Sequence, residues 1–331
     1  MPHNKGFVLA SRPDGAPTHS NFRLVESETP DLADGQLLVK HLFLSLDPYM
    51  RGRMSDAKSY TAPQAIGVVM GGGTVGEVIA SKHGNFKIGD QVVGMGGWQL
   101  YAVSDGQGLM KIAGGSIPLS AYLGVVGMPG VTAWYGLNKI IAPKAGETVV
   151  VSAATGAVGS VVGQLARMAG ARAVGIAGGP EKCAYAKAEL GYEACADHRS
   201  KDFAAELKAA LPDGVDGLYE NVGGEPFLQT MRRLNAFSRI AICGLIASYN
   251  GAPTPLPDMR VVLVARCRIE GFIVSDRMAL WPQAIGELSA LVSAGKLKYR
   301  ETIAYGLEQA PDAFLGLLTG KNFGKQVVAL T

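Results

Sequence analysis

Short apolar runs separated by glycine-containing turns fill the first third of the chain. The runs QLLVKHLFLSL, GGGTVGEVIAS, GDQVVGMGGWQLYAV and GLMKIA follow one another between residues 36 and 113. Short strands of this kind with frequent turn signals are typical of antiparallel β structure. The pattern therefore predicts an all-β, barrel-like domain over residues 1–121.

From about residue 145 the pattern changes to strands that alternate with helices. One helix is predicted over residues 158–169, where apolar side chains recur at helical spacing and would pack on a sheet. Near-continuous apolar strands between such helices indicate a parallel sheet covered on both faces, and six strands match a Rossmann domain. The predicted strands are 148–153, 171–176, 194–196, 215–220, 239–243 and 268–274.

The last part of the chain returns to the first pattern. A helix predicted over 282–294 precedes a β, helix, β segment that is too short to fold alone. We expect this segment, 294–331, to close back on the N-terminal domain. The predicted fold class is α/β, with a β-rich domain (1–121), a doubly wound parallel sheet domain (122–293) and the C-terminal return.

An imperfect glycine motif lies at the start of the predicted sheet domain. In TVVVSAATGAVGS, residues 148–160, the three positions of GxGxxG fall on Ala154, Gly156 and Gly159. The middle glycine lets the backbone approach a pyrophosphate, and the last lets helix and strand pack closely at a helix N-terminus that binds anions. An ordinary strand–helix turn is the alternative. The motif stands at the head of six strands that alternate with helices, and this position favours a dinucleotide site.

The residues at the end of the second predicted strand indicate whether the dinucleotide is NAD or NADP(H). A site for NAD usually carries an acidic residue there, which hydrogen-bonds the ribose 2′-hydroxyl. In GIAGGPEK, residues 175–182, the first acid is Glu181, and Lys182 stands beside it. A lysine without a competing acid suits a 2′-phosphate, although Lys182 as an ordinary solvated residue is the alternative. We expect NADP(H).

Composition excludes several function classes. The chain has 331 residues, 48% hydrophobic and 18% charged, with a net charge of +3 spread along its length. No basic run indicates nucleic acid, and no apolar segment indicates a membrane span or a leader, so we expect a cytoplasmic protein. Its cysteines, at positions 183, 195, 243 and 267, form no CxxC pair and predict no metal site.

Longer stretches carry a resemblance to one family. They are LFLSLDPYMRGRM, GMPGVTAWYGL, AATGAVGSVVGQLA, ENVGGE, AICGLIASYN, GFIVSD and GKNFGKQVV. The chain resembles the zinc-independent medium-chain dehydrogenase/reductases that reduce carbon–carbon double bonds. These include the leukotriene and prostaglandin reductases, the plant alkenal double-bond reductases and, most similar, the bacterial curcumin reductases. The resemblance implies a GroES-like catalytic domain, an inserted Rossmann domain and an active site in the cleft between them.

The resemblance also implies the residues that contact NADP(H). His198 stands where the prostaglandin reductases have a tyrosine near the 2′-phosphate, and either donates to the phosphate or is merely solvated. Asn221 and Asn322 match asparagines of the family's cofactor site. The full implied set is Met128, Thr132, Gly156, Ala157, Val158, Gly159, Ser160, Gly178, Lys182, His198, Asn221, Cys243, Gly244, Ser248, Tyr249, Phe272, Ile273, Val274 and Asn322.

Reduction of an enone or enal places negative charge on the carbonyl oxygen, so a hydrogen-bond donor must meet it. The resemblance implies Tyr249 as that donor, with mere packing against the cofactor as the alternative, and the enolate is protonated by a tyrosine or by water. Tyr49, Tyr60 and Ser275 match residues of the family's substrate pocket, which loops 55–66 and 249–262 would shape. Asp47 and Arg51 are expected to hold the Tyr49 loop by ion pairing.

Several alternatives stay open at this stage. Quinone reduction in the same fold, a non-catalytic NADPH-binding role and a metal-free allylic alcohol dehydrogenase are each compatible with the residues. The expected substrate is a hydrophobic enone or enal. The resemblance also implies a homodimer that pairs the strand RIEGFIVSD, Arg268 to Asp276, across a two-fold axis, and an exposed apolar edge strand supports this expectation.

Overall fold

A computed structural model describes residues 2–251 and 255–330. The chain divides into two compact units. Unit 1 comprises Met1–Leu123 and Glu301–Thr331, and unit 2 comprises Gly124–Arg300. The sequence predicted domain boundaries after residues 121 and 293, and the structure has them after Leu123 and Arg300. The helix predicted over 282–294 therefore belongs wholly to unit 2.

The first part of unit 1 is built from short strands, as its apolar runs predict. One short helix, α1 (Tyr49–Arg53), follows the third strand, and 3-10 turns span His19–Asn21 and Leu119–Leu123. The strands are β1 (His3–Leu9), β2 (Phe22–Glu28), β3 (Leu37–Ser45), β4 (Thr74–Ser81), β5 (Gln91–Gly94), β6 (Tyr101–Ser104) and β7 (Met110–Lys111).

Unit 2 alternates strands with helices. Its strands are β8 (Thr148–Ser152), β9 (Arg172–Ala177), β10 (Ala194–Asp197), β11 (Val215–Glu220), β12 (Leu234–Ile242) and β13 (Arg268–Gly271). Its α-helices are α2 (Met128–Tyr135), α3 (Gly159–Met168), α4 (Pro180–Ala188), α5 (Phe203–Ala210), α6 (Gly224–Met231), α7 (Met259–Ala265) and α8 (Trp281–Ser293). A π-helical turn, Gly136–Ile141, extends α2, and 3-10 segments span Ile246–Ser248 and Val274–Leu280.

The end of the chain completes unit 1. It contributes β14 (Glu301–Tyr305), a 3-10 turn (Leu307–Gln309), α9 (Ala310–Leu318) and β15 (Lys325–Ala329). β15 pairs antiparallel with β3, so the returning segment joins a sheet of order β14-β15-β3-β4-β5-β7, with β6 also on β3. Phe314 of α9 packs edge-on against Trp98 at a ring distance of 5.5 Å, and Trp98 stacks on Phe22. The return therefore buries its apolar face in the core of unit 1.

The sheet of unit 2 has the strand order β10-β9-β8-β11-β12-β13, and every pair is parallel. Counted within the unit, this is the order 3-2-1-4-5-6 of a Rossmann domain. β8 lies in the middle, and Val149, Val150 and Val151 are completely buried. The predicted α/β fold class is confirmed.

Two predicted strands differ from the observed strands by more than one residue at an end. The strand predicted over 268–274 ends at Gly271, because the Phe272 ring packs 5.4 Å from the ring of Tyr135 and 6.3 Å from that of Tyr219. The segment expected to pair in a dimer was Arg268 to Asp276. Only its first four residues form a strand. The strand predicted to begin at residue 239 begins at Leu234, because Phe237, at φ +63°, bends a longer strand without ending it.

Candidate cofactor site in the Rossmann unit

The glycine turn after β8 is closed by one backbone carbonyl. Ala153 adopts φ +49°, and its carbonyl oxygen accepts a hydrogen bond from the amide of Gly156 at 2.9 Å. A Cβ atom added to Gly159 would lie 2.3 Å from that same oxygen. Only glycine fits at position 159, so the close approach of helix and strand that the motif predicts is present.

Ala154 occupies the place of the first glycine in the motif and is completely buried. The neighbouring strand makes room for its methyl group. A Cβ atom added to Gly175 of β9 would lie 2.8 Å from the Cβ of Ala154. The glycine missing from the turn is thus replaced by a glycine on the adjacent strand.

Helix α3 begins directly after this turn. Val158, which precedes it, makes no side-chain hydrogen bond that caps the helix. The amides of Ser160, Val161 and Val162 donate to the backbone carbonyls of Gly156 and Val158. The turn itself, residues 156–159, therefore lies at the positive end of the helix dipole, a position that favours an anion.

A basic cluster lies at the ends of β9 and β10. A Cβ atom added to Gly178 would lie 2.8 Å from Nε2 of His198 and 3.0 Å from Nε of Arg199, so both side chains cover this glycine. Asp197 accepts hydrogen bonds through Oδ1 from the amides of Gly179, at 2.7 Å, and Arg199, at 2.9 Å. One carboxylate thereby ties the two turns together and holds the basic side chains in place.

The charges of this cluster act on one another. Burial lowers the pKa of Lys182, and the nearby charge of Arg199 lowers that pKa further. Burial also lowers the pKa of His198, with further lowering by Arg199 and Lys182. Three basic groups that oppose each other's charge are stabilised by a bound anion. Sequence reasoning missed Arg199, although it directly follows His198.

Asn221 is fixed between the ends of β8 and β11. Its side-chain amide donates to the carbonyl oxygen of Ser152 at 2.8 Å, and its backbone amide donates to the Ser152 hydroxyl at 2.8 Å. Parallel strands meet at their carboxyl ends, which is where ligands bind in open α/β sheets. Asn221 therefore stands at the same edge as the glycine turn.

A cleft of about 490 Å³ opens at the carboxyl ends of β12 and β13. A Cβ atom added to Gly244 would lie 3.2 Å from the Tyr249 hydroxyl oxygen, so the tyrosine folds back over this glycine. Six predicted cofactor residues line the cleft, together with charged residues that sequence reasoning missed, Asp276 and Arg277. The lining residues are Ile242, Cys243, Gly244, Leu245, Ser248, Tyr249, Gly271, Phe272, Ile273, Asp276 and Arg277.

Two other predicted residues of this segment lie elsewhere. Val274 is buried and Ser275 is exposed, and neither is among the residues that line the cleft. The loop 249–262, which the sequence predicts to shape the pocket, includes residues 252–254, which lie outside the described part of the chain.

The thiol of Cys243 is not a nucleophile at neutral pH. Burial raises its pKa to about 12, against a smaller lowering by a hydrogen bond with Tyr219 and a further raising by Glu220. A protonated, uncharged thiol beside the cleft contributes packing and not charge.

Helix α2 packs against the same sheet edge. Thr132 is buried, and its hydroxyl donates to the Met128 carbonyl at 2.7 Å. The Tyr219 hydroxyl donates to the Thr132 carbonyl at 2.8 Å, which links α2 to β11. Arg277 donates through Nε to the Tyr135 hydroxyl at 3.0 Å.

The remaining predicted residues belong to unit 1. Tyr49 lies on α1, and burial raises its pKa, with further raising by Asp47 and by Tyr60. Tyr60 itself is 60% exposed. The amide of Asn322 donates to the Gly324 carbonyl at 2.8 Å, in the turn before β15.

The loop around Tyr49 is held by an ion pair, but its partner is distant in the chain. Lys325 donates through Nζ to Asp47 at 2.9 Å and to the Leu46 carbonyl at 2.7 Å, in the interior of unit 1. Arg51 donates to the Gly15 carbonyl at 2.7 Å. Both residues that flank Tyr49 therefore hold the loop, through Lys325 and Gly15.

Within residues 2–251 and 255–330, no three His, Cys, Asp or Glu side chains are grouped so that they could hold a metal ion. The four cysteines are free. In the same part of the chain, no helix is long and apolar enough to cross a membrane.

A Rossmann unit with a glycine turn is the fold of a dinucleotide-binding protein, and in this chain it is combined with a separate β-rich unit. A family model described as the N-terminal domain of oxidoreductase matches residues 5–112, and one described as zinc-binding dehydrogenase matches residues 157–290. The chain belongs to the medium-chain dehydrogenase/reductase family, as the resemblance in its sequence predicted.

Individual relatives match almost end to end. NADPH-dependent curcumin reductase of Escherichia coli (strain K12) is 48% identical over 335 residues, 98% of this chain and 96% of the relative. The 2-alkenal reductase (NADP(+)-dependent) of Nicotiana tabacum is 39% identical over 336 residues, 99% of this chain and 98% of the relative. The crystal structure of CurA from Vibrio vulnificus in complex with NADPH is 49% identical, with a TM-score of 0.95 over 99% of each chain.

Proposed function

We propose that the protein is an NADPH-dependent reductase of the carbon–carbon double bond in α,β-unsaturated ketones and aldehydes. The observation that carries this proposal is the basic cluster of Lys182, His198 and Arg199 at the end of β9, in the same unit as the glycine turn. A 2′-phosphate distinguishes NADPH from NADH, and this cluster is the chemistry that recognises it. The relatives named for NADPH-dependent curcumin reduction and for 2-alkenal reduction support the reaction class.

The described residues fit each part of NADPH. The glycine turn before α3 suits the pyrophosphate, and the basic cluster suits the 2′-phosphate. Asn221 and the segment from Cys243 to Tyr249 stand at the carboxyl edge of the sheet, where the nicotinamide half of the cofactor would bind. When bound, NADPH supplies the hydride.

The chain's own residues stabilise the enolate that hydride addition produces. The Tyr249 hydroxyl lies at the cleft, next to Gly244, and a neutral phenol donates a hydrogen bond to a developing oxyanion without carrying charge into an apolar site. The proton that completes the saturated product comes from Tyr249 or from water.

The substrate is a hydrophobic enone or enal. Leu245, Phe272 and Ile273 supply apolar side chains to the cleft. Its polar and charged groups are those of Ser248, Tyr249, Asp276 and Arg277. A role of Tyr49, Tyr60 and Ser275 in shaping the substrate pocket stays a prediction from the resemblance. The expected cytoplasmic location also stays a prediction.

The function is tested with purified protein, NADPH and a panel of 2-alkenals, aryl enones and curcuminoids. Consumption of NADPH with formation of the saturated ketone or aldehyde is the expected result. Hydroquinones from a parallel quinone panel, without saturated ketones, would assign quinone reduction instead. Tight binding of NADPH without turnover of any panel member would leave a non-catalytic binding protein.

We also propose a homodimer that pairs β13 across a two-fold axis. β13 is an edge of the sheet, and Ile269 on it is 39% exposed. Helix α7, which packs on β12, exposes Leu263 by 76% and Val264 by 72%. A second copy would cover this edge and these side chains. Sedimentation should give a dimer for the wild type and a monomer for Ile269→Lys, and a monomeric wild type would contradict the proposal.

A further inference from the structure

Glu220, the last residue of β11, is completely buried. One oxygen of its carboxyl, Oε1, accepts three hydrogen bonds. They come from the Ser152 hydroxyl at 2.8 Å, the Val222 amide at 2.6 Å and the Gly223 amide at 2.8 Å. The other oxygen, Oε2, has no hydrogen-bond partner among the described residues. The acceptor role of this side chain is therefore concentrated on Oε1.

The turn that this carboxyl closes is bonded to the segment that leads to Tyr249. The Glu220 carbonyl accepts from the amides of Cys243, at 2.9 Å, and Gly244, at 3.2 Å. The next two carbonyls, of Asn221 and Val222, accept from the amides of Ile246 at 3.3 Å and Ala247 at 3.0 Å. Four successive links thus join residues 220–222 to residues 243–247.

Ser152 connects the same carboxyl to β8 and the glycine turn. Its hydroxyl donates to Glu220 and accepts from the backbone amide of Asn221, while its carbonyl accepts from the Asn221 side chain. Such a buried network is stabilising when every donor is paired, and removal of its central acceptor leaves several buried donors unpaired.

We propose that Glu220 is a positioning residue for hydride transfer. Its carboxyl fixes Asn221 and the segment carrying Tyr249 relative to the glycine turn, without touching a reacting atom. The role in hydride transfer rests on the proposed function. The position of Asn221 and of the segment carrying Tyr249 can be measured in the protein without ligand. Since the work is done by one acceptor oxygen, glutamine should replace Glu220 and alanine should not.

The chain offers a matched control in unit 1. Burial raises the pKa of Glu301 as it does that of Glu220, and Glu301 accepts through Oε2 from the Ser120 hydroxyl at 2.8 Å. Its Oε1 likewise lacks a partner among the described residues. The variants Glu301→Ala and Glu301→Gln therefore remove a half-buried carboxyl that also accepts from a serine hydroxyl, outside the candidate cofactor site.

The first measurement is hydrogen exchange in the protein without ligand. Glu220→Ala should accelerate exchange of the amides at 221–223 and 243–247, whereas Glu220→Gln and both Glu301 variants should leave these amides as in the wild type. Unchanged exchange at these amides in Glu220→Ala, or equal acceleration in Glu220→Gln, overturns the proposal.

The second measurement is the dissociation constant of NADPH, from its fluorescence. Glu220→Ala should raise it about tenfold or more, while Glu220→Gln stays within about twofold. If Glu220→Ala does not fold, Ser152→Ala takes its place, and it should weaken NADPH binding and accelerate exchange at 221–223. If the wild type does not bind NADPH, the proposed function is wrong and the inference about Glu220 is not the cause. If Glu220→Ala binds NADPH with wild-type affinity, this inference alone is wrong. The same holds for Ser152→Ala where that variant substitutes for Glu220→Ala.

Discussion

Ala154 and Gly175 form a complementary pair across β8 and β9. Ala154 fills the position where the dinucleotide motif has its first glycine, and a Cβ atom on Gly175 would lie 2.8 Å from the Ala154 Cβ. The departure from the motif is therefore compensated by the neighbouring strand. The turn keeps the close approach of helix and strand at Gly159 that the motif predicts.

This pair predicts a coupled effect on stability. Gly175→Ala should lower the free energy of unfolding by about 1–3 kcal/mol, because the added methyl overpacks a closed core. Combining it with Ala154→Gly should recover part of the loss, and the remaining contacts with Cys195 and Tyr192 limit the recovery. Urea denaturation of the two single variants and the double variant measures the coupling. Purely additive effects would show that the two methyl positions do not compete.

Arg199 predicts the choice between the two nicotinamide cofactors. Arg199→Ala should raise the dissociation constant of NADPH about tenfold and leave that of NADH within about twofold, because only NADPH carries the phosphate that a charge-assisted hydrogen bond would hold. Titration of both cofactors checks this. Arg232→Ala, at an exposed position after α6, is the matched control. Equal weakening of both cofactors would remove Arg199 from the phosphate site.

His198 predicts a pH dependence of cofactor binding. Burial and the charges of Arg199 and Lys182 lower the pKa of His198 in the free protein, so the ring is neutral at pH 7. A bound phosphate raises that pKa, so binding takes up a proton. The affinity for NADPH therefore falls as pH rises from the lowered pKa of His198 in the free protein to its higher pKa in the complex. The phosphate's own titration opposes this trend, so the comparison is with His198→Gln. Identical pH profiles for the two proteins would show that His198 does not contact the phosphate.

His41 predicts acid sensitivity of unit 1. It is buried, its ring hydrogen-bonds the Gln99 carbonyl at 2.8 Å through Nδ1, and burial lowers its pKa to about 4. The unfolded chain takes up a proton near pH 6.5 and the folded chain only near pH 4, so the stabilising contribution is complete above about pH 6.5 and is lost as pH falls. The loss is at most about 3 kcal/mol. Denaturation at several pH values should show a weaker acid dependence for His41→Gln, and an unchanged slope would contradict the assignment.

Tyr249 predicts a separation of chemistry from binding. Tyr249→Phe keeps the aromatic ring and removes the hydroxyl that lies next to Gly244, so kcat should fall by about 10²-fold while the dissociation constant of NADPH changes little. Steady-state kinetics and cofactor titration measure the two effects. Full activity in Tyr249→Phe would show that water donates the proton and that Tyr249 only packs in the cleft.

The architecture of unit 2 follows from local pattern. Uninterrupted apolar strands between amphipathic helices predict a parallel sheet, and the observed order of the six strands is that of the predicted Rossmann domain. The helix predicted over 158–169 is observed as Gly159–Met168, because its apolar spacing matches a helix that covers a sheet. Such features depend on neighbours in the chain, so one sequence is enough to predict them.

Features that depend on distant residues were not predictable in this way. The end of β13 at Gly271 follows from the packing of Phe272 on Tyr135 and Tyr219, which the apolar run RIEGFIV does not reveal. The basic cluster forms because the turns after β9 and β10 meet, with Asp197 bonded to both. The partner of Asp47, Lys325, is far away in sequence. Each of these contacts is a consequence of the assembled sheet.

Hydride transfer from NADPH to the β-carbon of an enone or enal is tested by product analysis with labelled cofactor. The wild-type protein is supplied with a 2-alkenal and NADPH that carries deuterium at the transferred position. The expected product is the saturated aldehyde with one deuterium on its β-carbon. An allylic alcohol with deuterium on its carbinol carbon would contradict it.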